Sequence, residues 1–312
     1  MRYRHLGNSG LEVSEIGLGT NNFGWRMDAA RSAAVIDRAL DLGINMIDTA
    51  NIYSKGLSEE YIGRALKGKR ERVLLATKFG MKWADGPHGM GGSRKHIVDA
   101  LNGSLTRLAT DYVDLYQMHA PDLATPMEET MRALDDLVSA GKVRYIGCSN
   151  YAGWQIADAF WIAESNRFAK MCSAQPEYSM LERSIEREVL PACRRFGLGI
   201  LPYFPLAHGF LTGKYRRGQP PPQGTRLAAM ESARQKRLTD ANFDIVERLE
   251  TFTGARGKSI LDLAFAWLLA HPEVSSVIAG ATTPEQIEQN ARTSEWILSV
   301  DELAAVNKVL GG

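Results

Sequence analysis

The stretch Gly43-Ile44-Asn45-Met46-Ile47-Asp48-Thr49-Ala50-Asn51-Ile52-Tyr53 is the most informative part of this sequence. It begins with a glycine that suits the end of a helix, continues as a short apolar strand, and then turns polar. Asp48 falls where the strand ends, and Tyr53 follows on the connecting loop. A carboxylate and a phenol contribute little to packing there. They fit the open end of an α/β barrel, where catalytic groups lie on the C-terminal ends of strands.

The same alternation of strand and helix extends in both directions from this stretch. The patterns predict strands at 15–19, 44–48, 73–78, 112–118, 143–148, 172–176, 199–203 and 275–279. Helical patterns lie between them at 29–42, 58–67, 94–108, 127–140, 153–165, 184–196, 258–270 and 284–291. Such alternation is typical of a parallel α/β fold.

Eight strand–helix units predict a (β/α)8 TIM barrel as a single domain over 1–312, with an N-terminal β-hairpin in 1–14. Extra helices are predicted near the C-terminus, at about 240–254 and 301–310. A doubly wound open sheet would also alternate. No Gly-x-Gly-x-x-Gly follows any predicted strand, however, and this weakens the dinucleotide-binding version of that fold.

Composition excludes several classes of partner. The 312 residues carry 37 basic and 36 acidic side chains, so the charge gives no case for nucleic acid or anionic membrane. The longest apolar run, Leu263 to Ala270, is far below the roughly 18 residues of a membrane span. Three scattered cysteines, the lack of an apolar leader at the N-terminus and the absence of metal-ligand spacing predict a cytoplasmic protein without a disulfide framework or metal site.

Two connections are longer than turns, at 79–93 and 204–238. Both follow predicted strands, so both are expected to rise over the barrel mouth, where long loops are often functional. The basic segment from Arg226 to Arg237 within the second loop is interpreted as a solvated face.

Four polar side chains are predicted to meet at the barrel mouth. Asp48, Lys78 and His119 each close or directly follow a strand, and Tyr53 lies nearby. A phenol is a weak acid at pH 7, and a neighbouring ammonium lowers its pKa by favouring the phenolate. A carboxylate would keep that ammonium charged and in place. Tyr53 could then protonate a carbonyl oxygen while the imidazole donates a second hydrogen bond.

The sequence resembles the aldo-keto reductase family over essentially its whole length. The matching segments are Ile16-Gly17-Leu18-Gly19-Thr20, Ile47-Asp48-Thr49-Ala50 with Tyr53, Ala76-Thr77-Lys78, Asp114 to His119, Ile146 to Asn150, Gln175 with Tyr178, Pro205-Leu206, and Gly280 to Asn290. The resemblance implies a nicotinamide-dependent reductase of aldehydes or ketones. It assigns Tyr53 as general acid, Lys78 and Asp48 as the pair that tunes it, and His119 as the residue that orients the carbonyl.

The resemblance also implies a set of cofactor-binding residues. Ser149, Asn150 and Gln175 match the positions that hold the nicotinamide amide, and Tyr203 matches the aromatic residue that stacks on its ring. Phe204 to Gly209 with Lys214 match the loop over the pyrophosphate, and the start of helix 284–291 is expected to offer a phosphate site. The full predicted set is Gly19, Thr20, Asn21, Asp48, Ser149, Asn150, Gln175, Tyr203, Phe204, Pro205, Leu206, His208, Gly209, Lys214, Gly280, Thr282, Gln286, Gln289 and Asn290.

Three departures from the family pattern bear on the cofactor. Phe204 stands where a small hydroxyl residue is usual, and His208 where glycine, glutamine or arginine is common. Thr282 replaces a residue that is often basic in members that prefer NADP(H). We therefore expect NADP(H), with NAD(H) as the weaker choice, and with hydroxyl, amide and backbone donors around the 2′-phosphate.

Two alternatives to the reductase remain at this stage. One is an auxiliary subunit that binds the cofactor and senses redox state with little turnover. The other is an aldolase that uses Lys78 as a Schiff-base former. The substrate itself cannot be read from the sequence, although an apolar entrance is expected, with Trp25, Trp83 and His119 as substrate-binding residues. The further rim candidates are Asn22, Phe23, Met81 and Met90. Oligomeric state is open.

Overall fold

The computed structural model describes residues 1–311. An antiparallel hairpin opens the chain, formed by β1 (Tyr3–His5) and β2 (Glu12–Ser14). Arg4 ties this hairpin to the far end of the sequence, because its guanidinium donates to the carbonyls of Val274 at 2.9 Å and Leu269 at 2.8 Å. The hairpin therefore covers the N-terminal end of the barrel described next.

Eight parallel strands form the central sheet. They are β3 (Ile16–Gly19), β4 (Met46–Asp48), β5 (Leu74–Phe79), β6 (Val113–Met118), β7 (Val143–Ser149), β8 (Met171–Gln175), β9 (Gly199–Ile200) and β10 (Val277–Gly280). Their order is β10-β3-β4-β5-β6-β7-β8-β9. Hydrogen bonds from Ile200 to Glu273 (2.7 Å), from Ser275 to Ile200 (3.0 Å) and from Ile278 to Pro202 (3.0 Å) join the two outer strands. The predicted (β/α)8 barrel with an N-terminal hairpin is confirmed.

Helices surround the sheet and connect its strands. They are α1 (Ala29–Asp41), α2 (Leu57–Ala65), α3 (Arg94–Leu108), α4 (Met127–Ser139), α5 (Gly153–Asn166), α6 (Val189–Phe196), α7 (Arg226–Ala229), α8 (Glu231–Arg237), α9 (Asp240–Gly254), α10 (Ile260–Leu269), α11 (Pro284–Thr293) and α12 (Val300–Val309). Asp28 and Ser93 cap α1 and α3 by accepting backbone N–H groups of the first turn. Within residues 1–311 no helix is long and apolar enough to cross a membrane.

Two predicted elements are shorter than the sequence pattern indicated. The helix expected over 184–196 is a 3-10 turn at Ser184–Arg187 followed by α6. Pro191 explains the break, since proline has no N–H to donate to the carbonyl of Arg187 and is tolerated only in a first turn. The strand expected over 199–203 is regular only at Gly199–Ile200, and Tyr203 adds an isolated bridge to Glu177. Pro202 lies between them and has no N–H for a ladder.

Alternation along the strands separates the core from the candidate site. Met46, Ala76 and Leu115 belong to a buried apolar cluster. Two residues further along the same strands, the same face carries Asp48, Lys78 and Gln117, because side chains repeat every second residue. Lys78 pairs in register with Gln117. The barrel interior is therefore apolar toward the hairpin and polar at the opposite, C-terminal end of the strands.

Candidate active site

A buried ion pair lies at the centre of the polar end. Lys78 Nζ donates to Asp48 Oδ2 at 2.6 Å and to the Thr49 carbonyl at 2.9 Å, and Lys78 is 0% exposed. Asp48 Oδ1 accepts the side-chain amides of Gln175 at 2.9 Å and Gln117 at 3.3 Å. Burial acts to lower the pKa of Lys78, but the neighbouring charges of Asp48 and Tyr53 and the hydrogen bonds to them outweigh it. The net shift raises that pKa, so the amine is an ammonium at neutral pH.

Tyr53 opens a short 3-10 turn, Tyr53–Gly56, on the loop that follows β4. Its ring centre lies 5.3 Å from Lys78 Nζ. Burial raises the pKa of the phenol, and this effect outweighs the charge and hydrogen bond of Lys78, which lower it. The expectation that Lys78 gives Tyr53 a lowered pKa is therefore wrong in its net direction. Tyr53 stays protonated at neutral pH, with an ammonium placed to stabilise the phenolate if a proton leaves.

His119 follows β6 and faces Tyr53. The two ring centres are 5.9 Å apart in an edge-to-face arrangement. Burial and the charge of Lys78 lower the pKa of His119 to about 3. Its Nδ1 atom is buried without a hydrogen-bond partner in the described part of the chain. The imidazole is therefore neutral at physiological pH and keeps one N–H that it can donate to a bound molecule.

A second buried ion pair supports the Tyr53 turn from outside the barrel. Glu59, in the first turn of α2, is 0% exposed; it accepts from Thr77 Oγ1 at 2.6 Å and from Arg107 Nε at 2.7 Å. Thr77 precedes Lys78 on β5, and Gly56 ends the Tyr53 turn against the Arg107 side chain. Glu59 thus links the element carrying Tyr53 to the strand carrying Lys78.

A cavity of about 940 Å³ opens above these groups. Its lining includes Tyr53, His119 and every predicted cofactor-binding residue, from Gly19, Thr20, Asn21 and Asp48, through Ser149, Asn150, Gln175, Tyr203, Phe204, Pro205, Leu206, His208, Gly209 and Lys214, to Gly280, Thr282, Gln286, Gln289 and Asn290. Lys78 is buried beneath it. Of the rim candidates, Asn22 and Met81 line the cavity as well, whereas Phe23 is in the core.

Two predicted substrate-binding tryptophans lie apart from this cavity. Trp25 lines an adjoining recess that also includes Tyr53. Trp83 lines neither space, because its ring packs on the Arg107 guanidinium at 4.7 Å. Trp83 therefore lies outside both spaces, and its role in substrate binding stays a prediction. Met90 is exposed and lies outside both linings too.

The predicted amide-binding residues form a network of their own. Ser149 Oγ donates to the Gln175 carbonyl at 2.7 Å. Asn150 Nδ2 donates to the His119 carbonyl at 2.8 Å, and Tyr203 donates to Asn150 Oδ1 at 2.8 Å. Gln175 gives its N–H to Asp48, and its Oε1 takes part in no hydrogen bond within residues 1–311. An amide oxygen of this kind has acceptor capacity for a further donor.

The loop after Tyr203 has an unusual backbone. Phe204, Ala207 and His208 have φ angles of 52°, 46° and 59°, a region that residues other than glycine rarely occupy. The Phe204 and His208 rings lie 4.1 Å apart, so these two departures from the family pattern pack on each other. Burial and the charges of Arg226 and Arg237 lower the pKa of His208 to about 4, which leaves a neutral ring.

Cations dominate the charge of the cavity wall. Arg26, Lys214 and Arg226 line it, and none of them forms an ion pair in the described residues. Burial and the charge of Arg26 lower the pKa of both Lys214 and Arg226. The charge of Arg226 lowers the pKa of Lys214 further. Arg226 donates to Asn21 Oδ1 at 3.0 Å and Asn22 Oδ1 at 2.9 Å. The cluster is thus electrostatically suited to an anion.

Of this cluster the sequence predicts only Lys214; Arg26 is missed, and Arg226 is misinterpreted. The segment from Arg226 to Arg237 is not the solvated face that its composition predicts: Arg226 lies in the cavity wall, and Arg237 is buried against Glu177 and Glu182. Nothing in the local pattern distinguishes them. Both residues lie on short helices, α7 and α8, in the 204–238 connection, where the sequence pattern predicts no helix.

The start of α11 offers fewer backbone donors than expected. Pro284 at its first position has no N–H, and the Gln286 N–H is taken by Thr283 Oγ1. Glu285 also places a negative charge in the first turn. A cation compensates nearby, because Arg31 on α1 donates to the Thr282 carbonyl at 3.3 Å and forms no ion pair in the described chain.

The site has no features of a metal centre. No group of three or more His, Cys, Asp or Glu side chains that could hold a metal occurs in residues 1–311. The cavity wall carries the Arg26, Lys214 and Arg226 cations together with the side-chain amides of Asn150 and Gln175. Two glycines of the wall are close to its side chains: a Cβ atom at Gly209 would lie 3.2 Å from Lys214 Nζ, and one at Gly280 would lie 3.1 Å from Asn22 Nδ2.

Comparison with known proteins agrees with this geometry. A sequence model of the Aldo/keto reductase family matches residues 15–310. The chain is 40% identical to the uncharacterized oxidoreductase YrpG of Bacillus subtilis (strain 168), over 100% of this chain and 97% of the relative. It is 38% identical to a probable voltage-gated potassium channel subunit beta of Oryza sativa subsp. japonica, over 95% and 92%. It is 35% identical to the L-glyceraldehyde 3-phosphate reductase of Escherichia coli (strain K12), over 99% and 92%. The chain belongs to the aldo/keto reductase family and is an NAD(P)H-dependent oxidoreductase.

Proposed function

We propose that this protein reduces an aldehyde or ketone to an alcohol with NADPH, and that Tyr53 donates the proton. The observation that carries the proposal is the Lys78 ammonium, buried between the Asp48 carboxylate and the Tyr53 phenol beneath a cavity of about 940 Å³. A reduced nicotinamide supplies the hydride for such a reaction. The side chains must therefore supply the proton and stabilise the charge that develops on oxygen.

Tyr53 is suited to give up a proton only when a strong base forms beside it. Its raised pKa keeps it protonated at rest. As hydride reaches the carbonyl carbon, the oxygen becomes an alkoxide, which is a much stronger base than a phenolate. The Lys78 ammonium then stabilises the phenolate that remains, and Asp48 holds that ammonium in position.

His119 supplies the second hydrogen bond to the carbonyl oxygen. Since its pKa is about 3, it acts as a neutral N–H donor and not as a competing acid. Its placement edge-on to Tyr53 puts both donors at the same side of the cavity. Two donors aimed at one oxygen fix the orientation of the carbonyl.

We assign the cofactor preference to NADPH because of the cations. Arg26, Lys214 and Arg226 line the cavity and Arg31 stands beside Thr282, and all four lack an acidic partner within residues 1–311. A pyrophosphate alone needs fewer charges than this set supplies. Guanidinium groups also match phosphate oxygens in geometry. Arg31 supplies the positive charge for the 2′-phosphate that Thr282 does not provide.

Two relatives named as probable voltage-gated potassium channel subunits beta suggest a second function. The alignment with this chain covers 92% of each of them. An auxiliary subunit of that kind would bind the cofactor and show negligible steady-state turnover. The aldolase alternative is not favoured, because Lys78 is fully buried and charged, and a Schiff base requires an accessible neutral amine.

The test is NADPH consumption against a broad panel of aldehydes and ketones, with NADH as the control. The proposal expects turnover with at least one class of carbonyl and a higher kcat/KM for NADPH than for NADH. Tight NADPH binding without turnover on any carbonyl would support the function of a cofactor-binding auxiliary subunit instead. Failure to bind either nucleotide would refute both.

A further inference from the structure

A second space adjoins the main cavity at Tyr53. This space, which we name the Trp25 recess, measures about 440 Å³ and is lined by Asn21, Gly24, Trp25, Ile52, Tyr53, Ser54 and Lys55. Asn21, Ile52 and Tyr53 line both spaces. A molecule whose carbonyl meets the Tyr53 hydroxyl can therefore extend its other end into the recess.

The backbone of the recess is held in a costly conformation. Ser54 and Lys55 have φ angles of 49° and 54°, and both residues carry a Cβ atom that disfavours this region. Ser54 Oγ donates to the Phe23 carbonyl at 2.8 Å, and the Lys55 N–H donates to the Ile52 carbonyl at 3.1 Å. Such strain persists only where surrounding contacts enforce it, and it often marks functional sites. Here it sets Lys55 on the recess wall, two residues from Tyr53.

The charge of the recess is positive. No carboxylate lines it, and Lys55 forms neither an ion pair nor a side-chain hydrogen bond in the described chain. The Arg26 guanidinium adds a second positive charge, 5.8 Å from the centre of the Trp25 ring. In the main cavity, the Asp48 carboxylate is already paired with Lys78. Trp25 adds an aromatic wall that is 55% exposed.

We propose that the Trp25 recess binds an anionic group of the carbonyl substrate, a carboxylate or a phosphate, with Lys55 as its cation and Trp25 as its apolar wall. This inference rests on the proposed function, because it assumes that the substrate carbonyl meets Tyr53. It names the substrate class as carbonyl compounds that carry a negative charge a few bonds away from the reacting carbon. Lys55 then determines specificity and takes no part in the proton transfer.

The experiment compares 4-carboxybenzaldehyde with its methyl ester, which share ring and aldehyde and differ in one negative charge and one methyl group. Each kcat/KM is divided by the rate at which borohydride reduces the same aldehyde, because the ester withdraws electrons more strongly than the carboxylate. The wild-type protein is expected to favour the carboxylate in kcat/KM by about fivefold at low ionic strength, with the preference shrinking at high salt. Lys55→Met should remove the preference by raising KM for the carboxylate, while the ester is unaffected. Lys55→Arg should retain it. Lys67→Met is the matched control, since it removes an exposed lysine beyond the far end of α2 and should change neither substrate.

Two outcomes overturn the inference. If the wild-type protein reduces both aldehydes with equal kcat/KM, or if Lys55→Met keeps the preference for the carboxylate, the recess does not recognise an anion through Lys55 and the proposed reductase activity still stands. If neither aldehyde nor any other member of the carbonyl panel is reduced, the proposed function fails and this inference fails with it.

Discussion

Replacing Lys78 with methionine tests the buried charge at the centre of the site. Methionine fills much of the same volume, so the main effect is to leave the Asp48 carboxylate without its cation. Breaking a buried ion pair on one side costs about 3–5 kcal/mol of unfolding free energy. Asp48 keeps the amide donors of Gln175 and Gln117, at 2.9 Å and 3.3 Å, so the lower end of that range, about 3 kcal/mol, is expected.

Urea unfolding followed by both fluorescence and circular dichroism measures this loss, and coincident transitions justify a two-state treatment. The double variant Lys78→Met with Asp48→Leu should recover part of the stability, because no uncompensated charge remains. Lys95→Met removes one partner of the exposed Lys95–Asp99 pair and should leave the urea midpoint unchanged. A loss below about 1 kcal/mol for Lys78→Met, or a double variant no more stable than the single one, would refute the reasoning.

Three further outcomes are expected. Because burial holds the pKa of His119 near 3 and the unfolded chain binds its proton below about pH 6.5, stability should fall on acidification from pH 6.5 toward 3, by up to about 1.4 kcal/mol per unit. His119→Gln should flatten this fall in urea unfolding, and His5→Gln should not. Glu59→Gln should lower kcat about tenfold with cofactor Kd unchanged, because it loosens the link between the Tyr53 turn and β5; a change confined to Kd would contradict this. Arg31→Ala should weaken NADPH binding about tenfold and leave NADH unchanged in a fluorescence titration, and equal weakening of both would exclude a role at the 2′-phosphate.

The barrel and the residues at its strand ends were predictable because their signals are local. Asp48, Lys78 and His119 each lie at or just after the end of an apolar strand, and this pattern is visible in the local sequence. Parallel strands bring such ends together. The two element errors were also local in origin. Pro191 and Pro202 each remove one backbone donor, and the patterns around them were extended too far.

The remaining features depend on tertiary structure that no local pattern encodes. Arg226 lies in the cavity wall, whereas Trp83 lies outside it with its ring packed on the Arg107 guanidinium. Neither position can be read from the residues next to it in sequence. The pKa of Tyr53 is raised because burial outweighs the lowering effect of Lys78, and the burial of a side chain is a property of the whole fold. Arg31 and Thr282 are far apart in sequence and adjacent in space.

The most direct test of the central claim is the rate of hydride transfer in Tyr53→Phe under single-turnover conditions with saturating NADPH. The ring, its packing against His119 and the cavity are retained, and only the acidic proton is removed. The account predicts a loss on the order of 10²–10⁴ in rate with cofactor affinity unchanged. A rate within about threefold of the wild-type protein, at the same substrate and cofactor occupancy, would contradict proton donation by Tyr53.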